Sequence, residues 1–198
     1  MISIFDYGAG NLRSVENTLG AIGAEYHLIR DAASIRSATK LILPGVGHFG
    51  QMMRALDEMN VREALIETIR GGVPFLGICL GMQALFTASE EAPEERGFGI
   101  YEGQVKRFQG DMRIPHMGWN NLEPLRDAKL LQGTGERPYV YFAHSYYAPV
   151  VPATAAVCEY SIPYTAVLEQ GNVCGVQFHP EKSGDLGLKI VRNFVEIW

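Results

Sequence analysis

The chain has 198 residues, 47% of them hydrophobic and 20% charged, which suits one well-buried domain and is short for two. A formal charge of −5 with no cluster of Lys or Arg argues against nucleic acid as a partner. Three cysteines, Cys79, Cys158 and Cys174, lack Cys-x-x-Cys spacing and are odd in number, which disfavours a disulfide framework or a structural zinc and fits a reducing cytoplasm.

The opening MISIFDYGAGN has no basic stretch followed by an apolar one. No window approaches the ~18 apolar residues of a membrane span, so neither a leader nor a membrane association is predicted. ISIFD reads as a buried strand and YGAG as a turn, and Leu12, Val15, Leu19 and Ile22 then recur at helical spacing ahead of Gly23. Strands are expected at EYHLI and KLILPG. Met52, Ala55, Leu56 and Met59, then Val61, Leu65 and Ile69, give helical faces that end at Gly71 and Gly72. VPFLGI is the fourth strand, and a helical pattern follows from Leu80 to an acidic, helix-ending loop, SEEAPEERG.

The second half turns to strand-like runs, EGQVKRF, HMGWNNL, YVYFA, AAVCEY, TAVLE and VCGVQF, expected as antiparallel additions to the sheet. The last segment reads as a helix capped by Ser183, with Asp185 in its first turn and Leu186, Ile190, Phe194 and Ile197 on one face. No repeat or linker divides the chain, so residues 1–198 are expected to form one α/β domain with a mixed, mostly parallel sheet and helices on both faces. Ligands of such sheets bind at the carboxyl ends of the strands.

The stretch Gly-Ile-Cys-Leu-Gly has the form of a nucleophile elbow, a sharp strand-to-helix turn that holds a side chain above the sheet. Gly77 and Gly81 make the turn possible around Cys79, and N–H groups from Leu80 onward favour the thiolate. Cys158 and Cys174 lie within strand-like runs and read as core residues. A nucleophilic cysteine needs an oriented base. Among His27, His48, His116, His144 and His179, only His179 ends an apolar strand with a carboxylate, Glu181, two residues on. The glycines of LPGVGHFG can turn a backbone N–H toward a developing oxyanion, with the N–H of Leu80 as a second donor. GAGNLR places Arg13 where a dinucleotide fingerprint needs its third glycine, so no nicotinamide, and no other cofactor or metal, is predicted.

Together GICLGMQ, PGVGHFG and FHPEKSG resemble the class I, or triad, glutamine amidotransferases along the whole chain. More narrowly, DYGAGN, PHMGWN and YFAHSYY resemble the glutaminase subunits of imidazole glycerol phosphate synthases, from histidine biosynthesis. That resemblance implies a single three-layer, flavodoxin-like domain in which Cys79 attacks the side-chain amide of glutamine, His179 relays protons and Glu181 orients His179. It implies an oxyanion site from Leu80 and, after a peptide flip, Val46 or Gly47, with Gly45, Gln83, Ser145 and Tyr146 holding the substrate. It further implies a (β/α)8 cyclase subunit as partner in a heterodimer, receiving ammonia without its release to solvent and using it on a phosphoribulosyl formimino carboxamide nucleotide. The products there are imidazole glycerol phosphate and aminoimidazole carboxamide ribotide. Asn11, Trp119, Asn120, Tyr141 and Lys182 fall at that interface by resemblance, and the isolated chain should hydrolyse glutamine feebly. Two other readings stay open: a stand-alone cysteine hydrolase needing no partner, and a non-catalytic subunit that keeps the fold.

Overall fold

Side chains alternate faces along a strand, and that alternation decides which residue meets which helix. The computed structural model describes residues 1–198. Its first half runs β1 (Ile2–Phe5), α1 (Leu12–Ala21), β2 (Tyr26–Ile29), α2 (Ala32–Ser37), β3 (Leu41–Gly45), α3 (Phe49–Glu58), α4 (Arg62–Arg70) and β4 (Phe75–Cys79). Ile2, Ile4, Ile42, Leu76 and Ile78 point into one apolar cluster with Val15 and Leu19 of α1. Phe5, Leu41, Leu43 and Phe75 point into the other, with Ile35, Met52, Leu56, Leu65 and Ile69 from α2, α3 and α4.

A single turn of helix, α5 (Leu80–Gln83), leads to β5 (Phe86–Ser89), β6 (Tyr101–Arg107), β7 (His116–Asn121), β8 (Glu123–Pro124), β9 (Tyr139–His144), β10 (Tyr146–Tyr147), β11 (Thr154–Tyr160), β12 (Ile162–Gln170), β13 (Val173–Val176) and α6 (Gly184–Ile197). The central sheet has eight strands in the order β2-β1-β3-β4-β13-β12-β11-β8. From β2 to β13 every pairing is parallel; β12, β11 and β8 are added antiparallel. With α1 and α6 on one face and α2, α3 and α4 on the other, the domain has the three layers expected of it.

The structure departs from the sequence reading in four places. Helix α2 was not anticipated: it is six residues long and buries only Ile35, too little for a period to show, and it is started by Asp31, whose carboxylate accepts from Ser34 N–H at 2.9 Å. The helix after Cys79 stops at Gln83, and the apolar residues beyond it open β5 instead. Of the runs expected as antiparallel additions, β13 instead extends the parallel half beside β4, and β6, β7 and β9 do not join the central sheet at all. β6 pairs with β5 and β10, and β7 pairs with β9. β6 buries only Val105, whereas an inner strand covered on both faces must be apolar throughout, as β11 and β12 nearly are. Finally, Ser183 stands at the start of α6 without capping it, and the helix buries Gly187, Ile190, Val191 and Phe194 while Ile197 is exposed.

Candidate active site

The carboxyl ends of β3, β4 and β13 meet above the sheet. Cys79 ends β4 with φ 53° and ψ −108°, a left-handed conformation that costs a non-glycine residue ~1–3 kcal/mol. By strict alternation Cys79 would follow Phe75 and Gly77; instead it packs with the cluster of Leu76 and Ile78, the displacement the strained turn produces. Backbones crowd behind it. A Cβ on Gly77 would lie 2.5 Å from the carbonyl of Gly81, and a Cβ on Gly81 would collide with the carbonyl of Leu43. The two glycines therefore serve close approach, with neither needing positive φ.

A cavity of about 270 Å³ opens over the cysteine, and Val46, Gly47, Cys79, Leu80, Gln83, Ser145, Tyr146 and His179 are on its wall. Gly45 is not; it is paired with Cys79 across β3 and β4 and packs against Leu80 and Gly81 from behind. Leu80 opens α5, so its N–H has no acceptor within that helix. The backbone of Val46 is engaged elsewhere: its N–H reaches the Tyr7 hydroxyl at 3.3 Å and its carbonyl accepts from the same hydroxyl at 3.4 Å.

His179 follows β13 and is held to β9 by its N–H, which donates to the Tyr141 carbonyl at 2.9 Å. A turn of 3-10 helix, Pro180–Lys182, then brings Glu181 back so that its Oε1 lies 2.8 Å from His179 Nδ1. Both side chains are nearly sealed from solvent, 4% and 2% exposed. Burial opposes a charged imidazole, yet the charge of Cys79 and the hydrogen bonds of Cys79 and Glu181 outweigh it and push His179 up to about 10. A cysteine sulfur beside an imidazole held in its protonated form is the arrangement that attack by sulfur and proton delivery to a leaving group require.

The family comparison agrees in extent with this geometry: the profile described as glutamine amidotransferase class-I matches residues 3–198. The chain belongs to that family. It is 46% identical to the imidazole glycerol phosphate synthase subunit HisH of Methanothermobacter thermautotrophicus, over 100% of this chain and 98% of that one. Identity to the HisH subunit of Deinococcus radiodurans is 45%, over 98% and 92%. Among solved structures, a glutamine amidotransferase superposes with a TM-score of 0.77 at 20% identity, covering 99% and 97%, a likeness of fold.

Seen as an amidotransferase, the chain keeps several predicted residues apart from the cavity. Asn11 is half-buried and its amide donates to Glu181 Oε1 at 3.4 Å, at the back of the His179 pair. Trp119 is 45% exposed on β7 and stacks on Tyr139 with ring centroids 5.6 Å apart; Tyr141 meets it edge-on, and Lys182 Nζ sits 5.9 Å from the Tyr141 ring. Asn120 donates to the Glu159 carbonyl at 3.1 Å and accepts from Asn121 N–H, so its side chain is engaged within the fold. Cys158 and Cys174 are fully buried in β11 and β13, and burial pushes the Cys158 thiol up to about 11. His144, passed over in the sequence in favour of His179, lies on the cavity wall. Tyr7 and Gln177 were not singled out. The polar Gln177 inside the apolar run GVQF, two residues before His179 and so on the same side of the chain, was the available signal.

No three His, Cys, Asp or Glu side chains stand together in a way that could hold a metal ion. No helix is long and apolar enough to cross a membrane.

Proposed function

We propose that residues 1–198 form one glutaminase domain, the subunit of an imidazole glycerol phosphate synthase that releases ammonia from glutamine in the cytoplasm for a (β/α)8 cyclase partner. The observation that carries the reading is the strained Cys79 beside a His179–Glu181 pair sealed from solvent, at a cavity of about 270 Å³. Cys79 Sγ attacks the amide carbon and the carbonyl oxygen takes the negative charge. Collapse breaks the carbon–nitrogen bond as His179 passes its proton to nitrogen, giving ammonia and a thioester. His179, now neutral, accepts a proton from water, the hydroxide adds to the thioester, and glutamate leaves as the Cys79–His179 ion pair is restored.

Leu80 N–H serves the oxyanion as first donor. The second, from Val46 or Gly47, requires the backbone at Val46, whose N–H and carbonyl both meet the Tyr7 hydroxyl, to turn away from it, so the isolated chain should be feeble until a partner switches it on. Gln83, Ser145 and Tyr146 of the cavity wall hold glutamine, and Gly45 supports them by letting α5 pack closely. The partner docks on Trp119, Tyr141 and Lys182, with Asn11 and Asn120 at the rim, in a heterodimer. A dry junction is needed because ammonia in neutral water becomes ammonium and loses its lone pair. Exposed stacked aromatics on β7 and β9, next to the carbonyl that anchors His179, support that placement. Mixing the chain with a cyclase-type barrel and glutamine tests the reading: glutamate must form, and Cys79→Ala must lower its rate at least ~10³-fold while leaving the ammonia-driven reaction of the barrel intact. Equal loss of both reactions would contradict the division of labour.

A further inference from the structure

Beside Cys79 lie two buried carboxamides, Gln83 on the cavity wall and Gln177 away from it, 4% and 0% exposed. Their orientation follows from a backbone group that can only accept. The carbonyl of Tyr146 lies 2.9 Å from the Gln83 amide, so the atom facing it is Nε2. The second hydrogen of that amide points at Gln177, 3.0 Å away, so the Gln177 atom there is the acceptor Oε1. Gln177 Nε2 is then at the other end of its amide, 3.6 Å from Cys79 Sγ. His144 reinforces the anchor, since its Nδ1 also donates to the Tyr146 carbonyl, at 2.8 Å, while its Nε2 accepts from the Tyr164 hydroxyl at 3.2 Å. Flipping Gln83 would set its oxygen against the Tyr146 carbonyl, and flipping Gln177 would set N–H against N–H.

We propose that Gln177 is a further catalytic residue, a buried N–H donor aimed at the Cys79 sulfur that stabilises its negative charge. The proposal rests on the reading of Cys79 as nucleophile. The hydrogen stays on nitrogen throughout. The bond is strongest when sulfur is charged, before attack and again as the thioester carbon–sulfur bond breaks and the electron pair returns to sulfur. A thioester sulfur is a poor acceptor, so the bond weakens between those points, which favours return of the thiolate in the second half of the cycle. Gln177 does not reach the cavity wall and so has no contact with glutamine.

Other titratable groups also neighbour the sulfur: His179 after β13, with Glu181 behind it, Tyr7 after β1 and Tyr164 on β12, while His144 and Glu91 line the same cavity. Gln177→Leu removes none of these groups. In the full chain, the rate of Cys79 alkylation by iodoacetamide is followed against pH by peptide mapping, which separates Cys79 from the buried Cys158 and Cys174. The expected result is a midpoint raised by about one pH unit in Gln177→Leu. In the complex with the barrel subunit, kcat for glutamate release should fall about tenfold or more, with KM for glutamine within about twofold. Should Gln177→Leu not fold, the wild-type chain carries the test by NMR: the Gln177 side-chain N–H resonance should move as Cys79 titrates and lose that response in Cys79→Ala. An unchanged alkylation midpoint and kcat in the folded variant, or a resonance indifferent to Cys79→Ala, would overturn the proposal. If wild type releases no glutamate, the functional reading fails, while the alkylation and NMR results still decide whether Gln177 serves the sulfur.

Discussion

At His179, burial and neighbouring charge act in opposite senses, and charge wins. Its imidazole in the folded chain titrates at about 10, above the ordinary value of 6.5. A raised folded-state pKa means that the protonated ring stabilises the fold: that contribution is complete below pH ~6.5 and is lost as pH rises toward 10. Cys79→Ala removes the largest stabilising charge and leaves the burial, so the ring should titrate several units lower in that variant. NMR of the His179 ring in both proteins measures this, and an unmoved ring would mean that the sulfur carries no charge in the resting site. Glu181→Gln keeps the shape but loses the carboxylate at 2.8 Å from Nδ1; kcat should fall by roughly 10²–10⁴ with little change in KM.

These three residues were legible in the sequence because their chemistry demands short local patterns, Gly-x-Cys-x-Gly and His-Pro-Glu. Contacts made across the fold were not. Gln177 meets Cys79 across 98 residues and Tyr7 meets Val46 across 39, so only packing reveals them.

At the scale of elements, the elbow depends on β3, β4 and α5 approaching closer than side chains allow. Gly81→Ala would press a methyl group into the Leu43 carbonyl, so a loss of ~1–3 kcal/mol or more in denaturant unfolding is expected, with Cys79 displaced and activity lost. Wild-type stability in that variant would show that the crowding is relieved at no cost. Ser183 shows why a correct boundary was paired with an incorrect role. Its spacing suggested a cap for α6, yet its hydroxyl donates to the His179 carbonyl at 2.7 Å and accepts from Tyr141 N–H at 3.0 Å. Ser183→Ala should therefore cost ~1–3 kcal/mol and loosen His179 against β9, seen as a lower kcat as well as a lower midpoint of unfolding. The strands of the parallel half were legible from their apolar runs. The partition of later strands between one large and two small sheets was not, because pairing partners are fixed by tertiary contacts that a run of alternating residues does not encode.

For the whole molecule, the exposed aromatics of β7 and β9 lie on the side of the molecule where His179 is tied to Tyr141. A partner pressing on this surface would act directly on the strand that positions the base, and the same cavity carries the Val46 backbone held by Tyr7. Trp119→Ala should weaken association with the barrel by roughly tenfold or more, measured by calorimetry, without changing the stability of the free chain. On the proposed function, this chain is a glutaminase gated by its partner. The most direct measurement is steady-state glutamate release by this chain alone, with the barrel subunit, and with the barrel plus its nucleotide. The expected result is near silence alone, turnover in the complex, a further rise with nucleotide, and none in Cys79→Ala. Equal turnover in all three mixtures would contradict the claim and identify a stand-alone hydrolase instead.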